Sequence, residues 1–351
     1  MPQITFANAI NDALSTALAM DPGVICFGLG VDDPKGVFGT TLGLKEKFGP
    51  GRVFDMPTAE NSMTGIAVGA ALSGLRPVIT HQRLDFALLS MDQLVNNAAK
   101  WRFMFGGKRG VPLTVRLILG RGWGQGPTHS QNLQAWFAHI PGLKVVMPAT
   151  AEDAKGLLLS SIFDDDPVIF LEHRWLHNLK GDVAAGDVRV PIGKARLMRE
   201  GDALTVVAMS YMTIEALHAV DYLSEQGVRC DLIDLRTVRP IDWDAIESSV
   251  SKTGRLLVLD TGFATGSVAG EIVARLAMSH WSALKCAPKR LAMPDYPEST
   301  SPALTRDYHV RAEHIASAAA SMLGKSVDVS SLINQRKHPH DVPGDWFSGP
   351  F

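Results

Sequence analysis

The chain has 351 residues, of which 46% are hydrophobic and 20% are charged. Its 34 lysine and arginine residues nearly balance its 36 aspartate and glutamate residues, which leaves a formal net charge of −2. This composition excludes an intrinsically disordered chain and gives no electrostatic reason to expect nucleic acid or an anionic membrane as a partner. The length predicts two domains with sizeable cores.

The three cysteines, Cys26, Cys230 and Cys286, are far apart in the sequence and form no CxxC pair. Neither a disulfide framework nor a zinc site is therefore indicated. The N-terminal residues lack a basic segment followed by an apolar one, and no apolar run approaches the roughly 20 residues that span a bilayer. We expect a cytoplasmic protein with no export signal and no membrane anchor.

Helical and strand-like segments alternate through the first half of the chain. Apolar side chains recur at helical spacing from Phe6 to Leu18, and the apolar run GVICFG that follows has the length of a buried strand. The alternation continues with the predicted strands RPVITH, LTVRLIL, LKVVMPA and PVIFLE and the predicted helices Leu88 to Phe103, SQNLQAWFAHI and AEDAKGLLLSSIF. This pattern predicts an α/β fold over residues 1–185, with a doubly wound parallel sheet covered on both faces.

A second, smaller α/β domain is predicted over residues 186–330. Residues 173–202 are of mixed polar sequence and include Gly181, Gly186 and Gly193, which is typical of a connection between domains. The predicted strands that follow are ALTVVAMS, RCDLIDL and RLLVLD, and the predicted helices are Tyr211 to Gln226, Asp242 to Ser251 and Gly266 to Met278. The C-terminal tail, residues 331–351, contains Trp346, Phe347 and Phe351 among prolines and glycines, so its composition fits an arm laid over another surface as well as a disordered end.

Chemistry is expected in the loops after the predicted strands, because ligands of open α/β sheets bind at the carboxyl ends of the strands. Four of these loops are unusual: GLGVDDPKGVFGTT (28–41), DMPTAEN (55–61), THQRLDF (80–86) and LGRGWGQGPTHSQ (119–131). The loop DMPTAEN places Glu60 before a helix of small residues. Glu60 could simply complement the helix dipole, a contribution of roughly 0.3–1 kcal/mol. However, Gly65, Gly69 and Ser73 recur every four residues and would let another helix approach closely. A carboxyl group enclosed in such a seam is harder to ionise, so it can hold or shuttle a proton near neutral pH.

A second unusual loop is the run LGRGWGQGPTHSQ, residues 119–131, which we call the glycine loop. Its four glycines allow the backbone to approach a ligand, but the run ends in His129 instead of opening into a helix as a dinucleotide fingerprint requires. On the sequence pattern, His129 fits an ordinary loop histidine as well as a site residue.

Other motifs argue against alternative chemistries. His173 and His177 lie four residues apart and HPHD occurs in the tail, but neither pair has the context of a transition-metal site. No GxSxG motif and no P-loop occur in the sequence. Acyl-serine hydrolysis and P-loop phosphoryl transfer therefore lose their usual support.

Taken in order, several runs resemble the β chain of the thiamine-diphosphate-dependent 2-oxoacid dehydrogenases, the E1 component of pyruvate, branched-chain or acetoin dehydrogenase complexes. They are GVFGTTLGLKEKFGPGRVFDMPTAE, DFALLSMDQLVNNAAKWRF, THSQNLQAWFAHIPGLKVVMPATAEDAKGLLLSSIFDDDPVIFLE and VRCDLIDLRTVRPID. The resemblance extends over residues 5–325. It implies a pyrimidine-binding α/β domain followed by a smaller domain of the transketolase C-terminal type.

The resemblance also implies roles for individual residues. Glu60 would hydrogen-bond the aminopyrimidine ring of thiamine diphosphate, Phe86 would lie against that ring, and Gln82 would sit beside it. His129 would face the substrate or the incoming acceptor. A structural potassium ion is implied at five positions: Leu113, Ser161, Ile162, Asp164 and Asp166.

Half of each active site is expected to come from another polypeptide. In the family, Mg²⁺ and the diphosphate are held by a GDG motif, and no GDG occurs in this chain. The resemblance therefore implies an α subunit in an α2β2 assembly with β–β contact, and a lipoyl acyltransferase E2 as a further partner. The chain alone should be inactive on its 2-oxoacid substrate.

Departures from the family pattern leave the acyl acceptor open. Leu29 replaces a common acid, Thr128 precedes HSQ where many relatives have Gln, and Asp260 and Thr261 stand where an acid or histidine pair is usual. The runs AENSM and GPTH resemble transketolases. The alternatives are thus half of a split transketolase-like enzyme that transfers a ketol or acyl unit to a sugar or aldehyde, and a non-catalytic scaffold that binds a partner.

Overall fold

Two large β-sheets organise residues 1–349, the part of the chain that the computed structural model describes. Phe351, assigned above to the tail, lies outside the described residues. The strands are β1 Gln3–Thr5, β2 Val24–Gly28, β3 Val53–Asp55, β4 Arg76–His81, β5 Thr114–Leu119, β6 Lys144–Val146, β7 Val168–His173, β8 Lys180–Asp182, β9 Arg196–Arg199, β10 Thr205–Ala208, β11 Asp231–Asp234, β12 Thr237–Arg239, β13 Leu256–Phe263 and β14 Lys289–Met293.

The helices cover the faces of these sheets. They are α1 Phe6–Met20, α2 Leu44–Phe48, α3 Glu60–Leu72, α4 Leu84–Ala87, α5 Ala99–Met104, α6 Gln134–His139, α7 Ala151–Ile162, α8 Tyr211–Glu225, α9 Trp243–Thr253, α10 Val268–Ser279, α11 Ala312–Met322 and α12 Ser330–Gln335. Within residues 1–349, none of the helices is long and apolar enough to cross a lipid bilayer.

The larger sheet has seven strands in the order β12-β6-β7-β5-β4-β2-β3. Its neighbours run parallel except at one edge, where β12 is antiparallel to β6. Every residue of β5 and β7 is buried, as expected for central strands covered on both faces. The predicted α/β sheet is confirmed. The strand β12 was not predicted, because a three-residue polar segment before a proline carries no hydrophobic pattern.

The smaller sheet has five strands in the order β14-β13-β10-β11-β9 and confirms the second α/β domain. Its edge strand β9 runs antiparallel to β11. β9 lies in the segment predicted to be only a connection, and its alternating half-buried and exposed residues explain why no strand was expected there. The strand β12 follows residue 186 in the sequence but belongs to the larger sheet, so the chain returns once from the second domain to the first. The division between residues 185 and 186 stays a prediction.

The predicted first helix is confirmed as α1, with the Thr5 hydroxyl accepting a hydrogen bond from the Asn8 amide at 3.1 Å. Its apolar stripe is fully buried and packs on α7 against one face of the larger sheet. The other face is covered by α3 and by the helical segment from Leu84 to Met104, which changes pitch to a 3-10 turn at Leu88–Ser90 and to a π-helix at Gln93–Ala98.

The predicted helix SQNLQAWFAHI is shorter in the structure, where α6 contains only Gln134–His139. The cause lies in the glycine loop. The Gly120 amide donates to the carbonyl of Gln131 at 3.3 Å, and the Gln131 side chain donates to Asp85 at 2.8 Å. Because Gln131 is engaged in closing the loop, the helix begins only after it.

The tail lies over the chain's own surface at the junction of the two domains. The Trp346 indole donates to the carbonyl of Trp175 at 2.8 Å, and Arg311 donates to the carbonyls of His340 and Val342 at 2.6 and 3.0 Å. Phe347 packs with Trp346 against the core that α1 and α7 share. Of the two alternatives for the tail, the described residues therefore form an arm laid over a surface.

Candidate active site

The four loops singled out in the sequence meet at one edge of the larger sheet. They follow β2, β3, β4 and β5, which are neighbours in the order β5-β4-β2-β3 and run parallel. Their carboxyl ends therefore lie side by side. Glu60, Gln82, Phe86 and His129 all belong to segments that leave this edge.

Glu60 is the first residue of α3 and is 7% exposed. Its backbone carbonyl accepts hydrogen bonds from the Ser90 hydroxyl at 2.8 Å and from the Thr64 hydroxyl at 2.9 Å. Among the described residues, no side chain or backbone group hydrogen-bonds the Glu60 carboxylate. Its low exposure favours an enclosed acid over a carboxylate that only complements the helix dipole, and the role of Glu60 stays a prediction.

The small residues of α3 divide between two environments. An ideal Cβ on Gly65 would lie 3.4 Å from the Gln93 side chain, so this glycine faces the neighbouring helical segment. Gly69 and Ser73 are exposed, and a Cβ on Gly69 would meet nothing within 4 Å. The C-terminal end of α3 is thus open in the single chain, and its packing against another subunit stays a prediction.

Phe86 and His129 come together although 42 residues separate them in the sequence. Their rings meet edge to face, with centroids 5.2 Å apart and planes at 86°. The Thr128 hydroxyl lies 3.0 Å from Nδ1 of His129 and helps to orient the imidazole. Gln82 is exposed on the same edge and lies against Gly30, where a Cβ would come within 2.4 Å of its amide nitrogen. All four predicted site residues therefore line one region.

Sequence reasoning missed the side chains that connect these loops. Asp85 accepts from Gln131, and Arg83 donates to the carbonyl of Gly120 at 2.9 Å. Both residues lie in the run THQRLDF, which was recognised as unusual, but only Gln82 and Phe86 were assigned roles in it. No spacing rule identifies Arg83 or Asp85, because their partners belong to a different loop.

The glycine loop also contacts the smaller domain. Gly126 has a φ of 79°, and a Cβ there would lie 2.4 Å from the Thr300 hydroxyl, so only glycine fits. Arg121 is 1% exposed and pairs with Glu298 at 3.0 Å and with Asp341 of the tail at 2.9 Å. The buried Asp260 accepts from the Gln134 amide at 2.5 Å. The position of the loop therefore depends on both domains.

The positions implied for a potassium ion lie at the opposite, amino edge of the sheet. The Asp164 and Asp166 carboxylates pair with Lys144 at 2.7 Å and with Arg102 at 2.5 Å, respectively. The Arg76 guanidinium donates to the carbonyls of Ile162 at 3.4 Å and Asp164 at 2.9 Å. The Leu113 carbonyl accepts from Val168, and the Ser161 hydroxyl donates to Leu157. Several of these oxygens are thus engaged by cationic side chains or backbone amides, and the potassium site stays a prediction of the resemblance.

The two histidine pairs that resembled metal ligands have other partners. His177 lies 3.5 Å from Glu172, His338 pairs with Asp345 at 3.0 Å, and His340 lies 2.8 Å from the Pro302 carbonyl. Within residues 1–349, no group of three or more histidine, cysteine, aspartate or glutamate side chains has the arrangement of a metal site.

Two buried histidines are expected to make folding sensitive to acid. Burial lowers the pKa of His81 to about 4, and burial lowers the pKa of His177 to about 4 against the opposing effect of Glu172. In the unfolded chain a histidine titrates near pH 6.5, so the unfolded state binds more protons between about pH 6.5 and 4. Stability is therefore lost as the pH falls through this window.

Urea unfolding at pH 7 and pH 5 tests this expectation. Each histidine should contribute a loss of roughly 2 kcal/mol on going to pH 5. The variant His81→Leu should reduce the difference between the two pH values, whereas His218→Asn, which alters an exposed histidine of α8, should leave it unchanged. An equal pH dependence in His81→Leu and the parent chain would contradict the assignment.

Two known domain families match the two parts of this chain. Residues 2–179 match the transketolase pyrimidine binding domain, and residues 193–315 match the transketolase C-terminal domain. A solved structure of a split gene transketolase, described as an inactive β4 tetramer, is similar with a TM-score of 0.74 at 21% identity, covering 92% of this chain and 100% of that one. At this identity the likeness establishes the fold.

Curated relatives are more similar in sequence. The β subunit of acetoin:2,6-dichlorophenolindophenol oxidoreductase from Cupriavidus necator is 40% identical over 89% of this chain and 95% of its own length. The β-2 subunit of the mitochondrial pyruvate dehydrogenase E1 component of Oryza sativa is 37% identical over 94% of this chain and 89% of its own. The β subunit of 2-oxoisovalerate dehydrogenase from Bacillus subtilis is 38% identical over 91% of this chain and 98% of its own length. The chain therefore belongs to the family of 2-oxoacid dehydrogenase E1 β subunits, built from transketolase pyrimidine-binding and C-terminal domains.

Proposed function

We propose that this chain is the β subunit of a thiamine-diphosphate enzyme that decarboxylates a 2-oxoacid and transfers the acyl unit. The observation that carries this proposal is Glu60, which is 7% exposed, lies at the carboxyl edge of the pyrimidine-domain sheet and has a carboxylate with no hydrogen-bond partner among the described residues. An acid in this position is suited to bind a ring nitrogen that must exchange a proton.

The residues at this edge fit the aminopyrimidine end of the cofactor. Glu60 would hold and move a proton at the ring, Phe86 would lie against its face, and Gln82 would stand beside it. When bound, thiamine diphosphate supplies the stabilisation of the carbanion that decarboxylation of a 2-oxoacid requires. His129, held edge to face against Phe86, would face the substrate or the acyl acceptor.

The diphosphate end requires a second chain. Since the sequence contains no GDG motif, we assign Mg²⁺ and the diphosphate to an α subunit, with which this chain would form an α2β2 enzyme. The exposed Gly69 and Ser73, at the C-terminal end of α3, are suited to a close contact with a helix of another subunit. The acceptor would be the lipoyl group of an E2 partner.

Reconstitution with a candidate α chain tests the proposal. The chain alone, the α chain alone and the co-expressed complex are assayed with thiamine diphosphate, Mg²⁺, a panel of 2-oxoacids and an artificial electron acceptor. We expect cofactor-dependent turnover only in the complex, abolished by removal of Mg²⁺. In parallel, ketose donors are tested with an aldehyde acceptor.

The parallel assays separate the alternatives. Transfer from a ketose to the aldehyde without decarboxylation of any 2-oxoacid would replace the proposal by the split transketolase-like enzyme. A stable complex that turns over neither class of substrate would favour the non-catalytic scaffold.

A further inference from the structure

Arg83 occupies a central position between the two loops that carry Phe86 and His129. It is 3% exposed and lies at the carboxyl end of β4, directly before α4. Its guanidinium donates through Nη1 to the carbonyl of Gly120 at 2.9 Å and through Nη2 to the side-chain oxygen of Gln125. It also lies 5.9 Å from the centroid of the Trp123 ring. One side chain thus contacts the glycine loop at three residues.

The backbone of the glycine loop passes close to the Arg83 guanidinium. A Cβ on Gly122 would lie 2.8 Å from Nη2 of Arg83, so the loop passes the arginine at a point where only glycine leaves room. The loop is closed at its base by Gly120 and Gln131, and Asp85 holds Gln131 there. Arg83 and Asp85, two residues apart, therefore attach both ends of the loop to the segment that carries Phe86.

The loop is also held at points away from the sheet edge, because Arg121 pairs with Glu298 and Asp341 and the Trp175 indole donates to the Gly122 carbonyl at 3.2 Å. The Gln125 amide donates to the Trp123 carbonyl at 2.5 Å and the His129 amide to the Gly126 carbonyl at 3.2 Å. These are local turns, which do not set the distance between the loop and the sheet edge. The Arg83 side chain spans that distance, because it reaches from β4 to both the base and the middle of the loop.

An arginine suits this task better than a lysine. Its planar fork can donate to a backbone carbonyl and to a side-chain oxygen at the same time, whereas an ammonium acts as a point charge. Burial lowers the pKa of Arg83 to about 10, with Asp85 and Glu298 opposing the shift. All its donors thus remain protonated near neutral pH.

We propose that Arg83 is a positioning residue, which sets the shape of the glycine loop and thereby holds His129 against Phe86. The role of Arg83 in turnover rests on the proposed function, whereas its role in ordering the loop does not. The two parts can therefore be tested by separate measurements.

Hydrogen exchange of the isolated chain measures the order of the loop. In Arg83→Lys and Arg83→Ala, amide exchange within residues 119–131 should become at least roughly tenfold faster, because the loop opens locally without global unfolding. The matched control is Arg52→Lys. Arg52 also donates to backbone carbonyls, those of Asp21 and Val24, but at the amino edge of the same sheet. This control should leave exchange in the glycine loop unchanged.

Kinetics of the reconstituted complex measure the consequence for His129. We expect Arg83→Ala to lower kcat roughly 10- to 100-fold, as misplacement of a site residue by about 1 Å can do, with a smaller change in the KM for thiamine diphosphate. Added guanidinium ion should restore part of the kcat of Arg83→Ala but none of the kcat of Glu60→Gln. If Arg83→Ala does not fold, Gln125→Ala removes the loop's side of the contact and should change exchange in the same direction.

Unchanged exchange in the loop of both Arg83 variants would overturn the proposal. A loss of activity confined to 2-oxoacids with a second carboxylate would also overturn it, because that result would mean that Arg83 contacts the substrate directly. If the parent complex shows no turnover at all, the proposed function fails, and the exchange measurements still decide whether Arg83 orders the loop.

Discussion

Replacing Glu60 by glutamine is expected to lower turnover of the reconstituted complex by roughly 100- to 10,000-fold, the range contributed by general acid–base groups. Glutamine keeps the shape of the side chain and one acceptor oxygen, but it cannot hold or release a proton at the aminopyrimidine ring. Folding should be preserved, because no described residue hydrogen-bonds the carboxylate and Glu60 is held through its backbone carbonyl by Ser90 and Thr64. Steady-state kinetics and urea unfolding of the same preparation check both expectations.

The matched control is Glu152→Gln. Glu152 also lies in the first turn of a helix, α7, but it is exposed and pairs with Arg196 at 2.8 Å. A carboxylate that only complements a helix dipole should be dispensable for turnover, so this variant should retain the parent kcat within about twofold. Full activity in Glu60→Gln would remove Glu60 from the mechanism.

Breaking the ion pair between Arg116 and Glu172 is expected to destabilise the isolated chain by about 3–5 kcal/mol. The two side chains are completely buried between β5 and β7, and two hydrogen bonds of 2.6 and 3.1 Å join them. Burial opposes ionisation of the carboxyl group, but Arg116 and His177 hold the pKa of Glu172 below its usual value. In Arg116→Met, the carboxylate would lose its main partner while remaining in the core.

A surface pair provides the control for this prediction. Arg199 and Asp221 form a bidentate pair of 2.7 and 2.8 Å with similar geometry but about half exposed. Arg199→Met should lower stability by no more than about 1 kcal/mol. The double variant Arg116→Met with Glu172→Leu should be more stable than Arg116→Met alone, since no charge is then left unpaired. Equal urea midpoints for Arg116→Met and Arg199→Met would contradict the expectation.

Local pattern was sufficient to predict the architecture. The helical spacing from Phe6 to Leu18 identified α1, and the short apolar runs identified the central strands, because burial on both faces leaves continuous hydrophobic sequence. The same reasoning failed for β9 and β12. Both are edge strands of three or four residues whose hydrogen bonds form with strands distant in the sequence, so their own residues carry little pattern.

Site residues were predictable where a motif or a family resemblance identified them. The resemblance implied roles for Glu60, Gln82, Phe86 and His129, and all four belong to segments that leave one edge of the sheet. Whether Glu60 was a surface charge or a buried acid could not be decided from spacing, because its burial depends on residues of β4 and of the segment after α4. The contact of Phe86 with His129 likewise arises from the pairing of β4 with β5.

The sequence by itself therefore determined the α/β architecture, the two families of domain and the residue types available for chemistry, since hydrophobic periodicity and motifs are local properties. Only the tertiary structure decided that Glu60 is buried without a partner for its carboxylate, that Arg83 and Asp85 hold the glycine loop, and that the tail covers the domain junction. These features depend on contacts between residues far apart in the chain. Such contacts follow from strand order and packing, which no local pattern encodes.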